Sequence, residues 1–267
     1  DGSQAVLKVA VKGYESELSI KFSRIIAKST LDMISLFLGG DKTFYKQVLL
    51  EDRTWPHKTY TLLGNDNYLG GPGSSVSKHL HPIFNNQDDL KSSREELDKF
   101  LPNFEFILDG LTKNEKCTYP KLANKWIYAL NWYAEGIRES NDAIAVAKLA
   151  SCLDTLSHGS KIGGIKQLLR NILDKRDEDI LFEDYSSQDI TLHKFTKRIY
   201  EDGRSRILHG TIENLLESFQ LDKARLINLA RIILLNCADR LKNYTGEDDD
   251  HAFKSMKSKV LGINEDQ

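Results

Sequence analysis

Little in this chain offers covalent, metal-bound or membrane-embedded stability. It has three cysteines, Cys117, Cys152 and Cys237, an odd number at wide spacing. Cys152 and Cys237 fall inside apolar helical patterns, where small buried thiols are common, so neither a disulfide framework nor a zinc site is expected. Long apolar runs are missing as well. The longest are five residues, as from Ala143 to Ala147, far short of the roughly 18 residues that span a bilayer, and no basic-then-apolar leader opens the chain. These absences predict a soluble cytoplasmic protein that makes no use of a membrane, in which the Asn243-Tyr244-Thr245 sequon reads as chance. A strong net charge is absent too. At −2 the chain is not suited to sequence-independent binding of long duplexes, which rests on many lysine and arginine contacts to phosphate. The first residue is Asp1 rather than Met, which predicts a processed chain or a piece of a longer protein.

What is present is mostly helical periodicity. With 267 residues and 40% hydrophobic content, the chain can build one large core or two modest ones. Ala5-Val-Leu-Lys-Val-Ala-Val11 suits a short strand, and a helical pattern runs from about 15 to 38, ended by Gly39-Gly40. Gln47-Val-Leu-Leu-Glu51 and Thr59-Tyr-Thr-Leu-Leu63 read as two further strands around a turn at Trp55-Pro56. Beyond the polar stretch Asn85-Asn-Gln-Asp-Asp89, helical patterns recur near 94–110, 118–138, 141–157, 162–174, 188–202, 205–218 and 222–243. Gly159 is read as the C-cap of the third and Asp222 as the N-cap of the last. The polar segment 175–190 reads as a loop, and a last short helix is expected after the acidic run Glu247-Asp-Asp-Asp250. The expected fold class is therefore mainly α: a C-terminal antiparallel helical bundle over residues 91–267, preceded by a small α+β region over residues 1–90 acting in regulation or recognition.

Within the bundle, Tyr200-Glu-Asp-Gly203-Arg204-Ser205-Arg206-Ile-Leu-His209-Gly210 sets an arginine and a histidine close together beside a glycine. From 194 to 209 the chain carries Lys194, Lys197, Arg198, Arg204 and Arg206 against Glu201 and Asp202, a local excess of positive charge. That excess suits a phosphate track or, equally, a solvated helix face. Gly203 predicts a helix starting near Arg204, where free backbone N–H groups favour an anion, with Ser205 capping it or bonding a phosphate oxygen.

The pattern Tyr-x-x-x-Arg-Ser-x-x-x-His-Gly, filled by Tyr200, Arg204, Ser205, His209 and Gly210, resembles the HEPN superfamily and most closely its Apea-like branch. Trp126-Ile-Tyr-Ala-Leu-Asn-Trp132-Tyr-Ala and Ala147-Lys-Leu-Ala-Ser-Cys-Leu-Asp154-Thr-Leu are similar to that family's paired helices. The second of these carries a polar residue, here Asp154 where many relatives have Glu, facing the arginine-histidine pair. The resemblance covers roughly residues 122–242. It implies a metal-independent endoribonuclease with no cofactor, acting as a homodimer whose two arginine-histidine pairs form one composite cleft and leave a 2′,3′-cyclic phosphate. It further implies a setting in a prokaryotic toxin or anti-phage system with RNA, tRNA among the candidates, as substrate. A regulatory partner or a further domain is compatible with the same reading. The alternative is a non-catalytic HEPN module that binds a nucleotide or RNA, or dimerises, within a larger protein. A third is a helical scaffold.

The residue chemistry fits the first of these. RNA carries its own nucleophile in the ribose 2′-hydroxyl, so cleavage needs proton transfer and a cation beside the crowded phosphate. Histidine suits the proton work and arginine, with its planar fork of donors, suits the phosphate. The expected roles are His209 as acid–base group and Arg204 as phosphate stabiliser. Asp154 and Ser205 support them, and Arg206, Lys197 and Arg198 touch substrate. Other candidates read more simply: His79-Leu-His81 lacks ligand partners at metal spacing, His158 looks like a helix-end residue, and Leu69-Gly-Gly-Pro-Gly-Ser-Ser-Val-Ser-Lys78 is a flexible turn without the Gly-Lys-Ser/Thr ending of a phosphate loop. Trp126, Trp132 and Tyr133 are expected in the core or a dimer interface.

Overall fold

The computed structural model describes residues 7–52, 58–65, 68–76, 83–112, 117–183, 189–211 and 217–256. The chain is mainly helical and divides into two compact units, Asp1–Lys99 and Phe100–Gln267. Among the described residues no helix is long and apolar enough to cross a membrane.

In the first unit, α1 (Ser16–Leu38) stops at Gly39 and Gly40, both at φ 73°, a left-handed region glycine enters without steric cost. The Thr43 hydroxyl of α2 (Asp41–Lys46) donates back to the Gly40 carbonyl at 2.8 Å. The strand expected at 47–51 does not form. Gln47 instead caps α2 and accepts from Ser35 at 3.1 Å, and Glu51 and Asp52, in a 3-10 turn (Leu50–Asp52), both pair with Arg24 of α1 at 3.1 Å. Side-chain bonding back to α1 therefore wins over the local strand propensity of Val48, Leu49 and Leu50. Residues 7–12 form no regular element. Among the described residues of this unit, the strands β1 (Lys58–Asn65) and β2 (Tyr68–Val76) pair with each other in an antiparallel hairpin, so the Gly-rich stretch expected to be a turn is largely strand. Trp55-Pro56, His79 and His81 lie outside the described residues.

In the second unit the bundle core lies among α4 (Pro120–Arg138), α5 (Asp142–Leu156) and α9 (Gln220–Lys242). α3 (Gln87–Leu111) contains the division between the units, and its Asn103 donates to Asp239 of α9. α4 and α5 run antiparallel. Glu139, just past the end of α4, holds Lys148 at 2.8 Å, while Lys125 near the start of α4 meets His158 beyond the end of α5 at 2.7 Å. Lys148 in turn holds the Glu139 carboxyl below the usual carboxylate range. α4 and α9 are also antiparallel, because Trp126 Nε1 donates to Leu234 O at 2.9 Å and the Tyr133 hydroxyl to Ile227 O at 3.2 Å. Trp126 and Tyr133 are thus core residues whose polar tips are satisfied in place, whereas Trp132 on the opposite face is 42% exposed. All three cysteines are buried free thiols, and burial pushes Cys237 up to about 12. α9 begins two residues before Asp222, which caps nothing; its side chain is turned instead to Arg198.

The remaining elements wrap this core. α6 (Lys161–Leu173) leads into β3 (Ile180–Phe182), which pairs with β4 (Ile190–Thr191) inside the stretch expected to be a loop. Asp177 and Asp179 of that stretch are used as partners by Lys166 and the Arg176 N–H. From β4 the chain enters one continuous helical path: α7 (Leu192–Lys197), a π-helical segment (Arg198–Ser205), and α8 (Arg206–Leu208). The expected break at Gly203 is absent. Gly203 is buried inside the π-helical segment, and a Cβ there would meet Val146 Cγ1 of α5 at 2.9 Å. The glycine permits close packing rather than a new start, so Arg204 and Ser205 have no free helix N-terminus beside them. The short helix α10 (Ala252–Ser255) comes after the acidic run.

Gly203→Ala should therefore lower stability by about 1–3 kcal/mol through overpacking, and Val146→Ala should recover part of that loss in the double variant, as measured by urea unfolding of the four proteins.

Candidate functional site

Asp154 and Ser151 lie three residues apart on α5, so both side chains leave the same face. Both are buried, and that face meets the π-helical segment. There the guanidinium of Arg204 is held at three points. Nη2 pairs with Asp154 Oδ2 at 3.1 Å, Nε donates to Ser151 Oγ at 2.9 Å, and Nη1 donates to the Tyr200 hydroxyl at 3.3 Å. The Tyr200 ring also lies under the charge, 5.3 Å from Cζ to centroid. Asp154 therefore reaches Arg204 directly despite its short side chain. Its second oxygen, Oδ1, is buried with no hydrogen-bond partner among the described residues. Tyr200 belongs to the sequence pattern, but Ser151 was missed as a site residue; its place three positions before Asp154 in a helical stretch was the available signal.

The π-helical geometry explains how Arg204 arrives there. The Arg206 N–H reaches back five residues to Glu201 O, so the turn is wider than an α-turn and shifts the phase of the residues beyond it. The path then ends cleanly. Gly210 sits at φ 66°, its N–H donates to Ile207 O at 3.2 Å, and the Thr211 N–H donates to Arg206 O at 2.9 Å, the paired bonds of a Schellman C-cap. His209 is thus the C-cap residue of α8, at the C-terminal end rather than the expected N-terminal start. It is exposed, and its ring has no hydrogen-bond partner among the described residues. The structure joins Arg204 with Asp154, Ser151 and Tyr200. It shows no bond from His209 to any of them.

The other candidates separate. Ser205 makes no side-chain cap, because it continues a helix and does not begin one. Arg198 and Arg206 share one carboxylate: Arg198 Nη1 meets Glu217 Oε1 at 2.8 Å and Arg206 Nη1 meets Glu217 Oε2 at 3.3 Å. Arg198 is further bound by Asp222 Oδ2 at 3.0 Å and lies over the Phe219 ring. The local positive excess is therefore matched by acids from residues 217–222. Lys197 is solvated and only loosely paired with Glu201, at 3.8 Å.

His158 sits at φ 62°, a left-handed position directly after α5, and Gly159 completes that cap by donating to Asp154 O at 2.8 Å. The His158 ring stacks edge-on to His251 at 4.2 Å and touches Lys125. Partial burial, then the Lys125 charge and His251, push its pKa down. Lys125, largely desolvated, is also pushed down, although its bond to Asp250 opposes the shift. Among the described residues no group of three histidine, cysteine or acidic side chains is placed to share a metal ion.

Asp154→Ala should cost about 2–3 kcal/mol by stranding the partly buried Arg204 charge, and a double-mutant cycle with Arg204→Ala in urea should show coupling of at least about 1 kcal/mol. For His158 the folded state resists a proton that the unfolded chain accepts near pH 6.5. Its contribution is therefore fully present above that value and is lost as pH falls below it. His158→Asn, which also tolerates the left-handed backbone, should flatten the decline of stability between about pH 7 and 5 in thermal unfolding.

Compared with family models, curated proteins and solved structures, the chain matches none.

Proposed function

We propose that the chain is a metal-independent endoribonuclease of HEPN type, working as a homodimer in which the Arg204 and His209 of two copies meet across one cleft. The observation that carries this reading is the immobilised arginine. Three of its five N–H groups are spent on Asp154, Ser151 and Tyr200, which leaves two donors on a guanidinium that is 24% exposed. A fixed, partly desolvated fork of this kind is suited to a phosphate whose charge grows during attack, because its cost of ordering has already been met in folding.

His209 supports the same reading from the other side. Its exposed ring is unengaged among the described residues, and an imidazole can both give and take a proton. Because it is not bonded to Arg204 in one chain, a composite cleft with a second copy supplies the missing proximity. The 2′-hydroxyl attacks the adjacent phosphorus, the 5′-oxygen leaves with a proton, and the product carries a 2′,3′-cyclic phosphate. His209 moves the proton and Arg204 stabilises the crowded oxygens. Asp154 and Ser151 act on Arg204, as positioning residues. A place in a toxin or anti-phage system belongs to this proposal by resemblance alone.

A second reading has its own observation. Arg198 and Arg206, two of the three side chains expected to touch substrate, are neutralised by Glu217 and Asp222, which suits a non-catalytic module or a scaffold. Purified protein incubated with total cellular RNA in EDTA separates these. Under the nuclease reading, His209→Ala keeps the fold and the dimer, seen by light scattering, and loses at least about 100-fold in cleavage. Unfolding of that variant, or equal RNA turnover by both proteins, rejects the catalytic role of His209.

A further inference from the structure

We propose that the cleft between α4, the end of α5 and the loop before α10 receives an unpaired base of an RNA strand, stacked by Tyr128 and Trp132, with Lys121 on the adjoining phosphate. The proposal rests on the RNA reading above and specifies the form of RNA as single-stranded at this point.

The cleft has a volume of about 390 Å³ and is lined by Lys121, Asn124, Lys125, Tyr128 and Trp132 of α4, Thr155 of α5 and Asp250. Four of these five α4 residues, Lys121, Lys125, Tyr128 and Trp132, recur at intervals of four, three and four, which is one stripe of a helix, and Asn124 lies beside it. The core stripe of the same helix, with Leu122, Trp126, Leu130 and Tyr133, is fully buried. An outward stripe is ordinarily polar, yet here it carries two large aromatics, 67% and 42% exposed. Neither contacts another aromatic ring among the described residues. One helical turn apart, the two side chains are separated by about 6 Å of axial rise. That is close to the roughly 7 Å needed to hold a planar ring in contact with a face on each side.

Charge selects the occupant. Asp250 is consumed by Lys125, whose ammonium meets Asp250 Oδ1 at 3.0 Å and Asp250 O at 2.8 Å. Asp248 is consumed by the first N–H groups of α4. Lys121 is exposed, and its ammonium, within electrostatic reach of Asp250, has no hydrogen-bond or ion-pair partner among the described residues, so the cleft retains an exposed cation beside two aromatic rings. That pairing of a stacking surface with a cation matches a base and its phosphate better than an apolar peptide. The cleft is also close to the proposed site, since Thr155 lines it and the preceding residue, Asp154, holds Arg204.

The test uses the full chain carrying His209→Ala, so that RNA survives, and a short adenosine-rich strand offered alone or in a duplex. Binding of the single strand should quench tryptophan fluorescence, and Trp132→Phe should abolish that quench. Tyr128→Ala and Trp132→Ala should each weaken Kd about tenfold or more, while Lys121→Gln should reduce the slope of log affinity against log salt by about 0.7. Unchanged Kd in both aromatic variants, or equal affinity for the duplex, overturns the proposal. So does conversion of a dimer to a monomer by Trp132→Ala with RNA binding intact, which assigns the face to a second copy. Binding through Trp132 by a parent chain that never cuts RNA rejects the nuclease reading alone. Cutting that persists with binding indifferent to Tyr128 and Trp132 rejects the cleft alone.

Discussion

Asp154 is buried near the end of α5, where an uncompensated carboxylate costs several kcal/mol, and its partner is Arg204 at 3.1 Å. Much of the local architecture depends on bringing that guanidinium to that carboxylate. Arg204 can approach only if its helix packs closely on α5, which requires Gly203 against Val146. It must also face α5 at that point of the path, where the helix takes the wider π-helical turn. Ser151 and Tyr200 then satisfy donors that would otherwise be left unpaired.

The same economy governs the surrounding charge. The helical path from Leu192 to Leu208 is basic along its length, but Glu217 and Asp222 lie against Arg198 and Arg206 and remove them from free solution. What remains is a small number of groups that combine position with availability. Arg204 is fixed and partly exposed, His209 is exposed at a helix end stopped by Gly210, and Lys121 stands exposed beside two solvated aromatics. Function by charge density is thereby disfavoured, and function by a few placed groups is favoured.

α5 connects these features. One side of its last turn holds Arg204 through Asp154, and the next residue, Thr155, lines the aromatic cleft. Its cap places His158 against Lys125, tying the turn after α5 to α4 and to Asp250. The helix is buried along most of its length, so its ends are the parts able to present groups to a ligand.

How much of this was legible in the sequence depends on the range of the forces involved. Helices α1, α3, α4, α5, α6 and α9 obey the apolar periodicity of their own residues, and the buried roles of Trp126 and Tyr133 come from the same stripes. The contact between Asp154 and Arg204 was expected from the resemblance and not from any local pattern. Where a distant partner decides, the local reading went astray. Gln47 to Glu51 has strand-forming residues, but Ser35 and Arg24 bind its polar groups. Gly203 looks like a helix break, but Val146 makes it a packing position. Asp222 looks like a cap, but Arg198 claims its carboxylate. The sequence by itself determined most of the helical segments and which residue types are available for chemistry, because apolar periodicity and side-chain identity are local properties. Only the tertiary structure decided which cations remain unpaired, which aromatics stay exposed and which end of a helix carries His209, because those depend on neighbours many residues away.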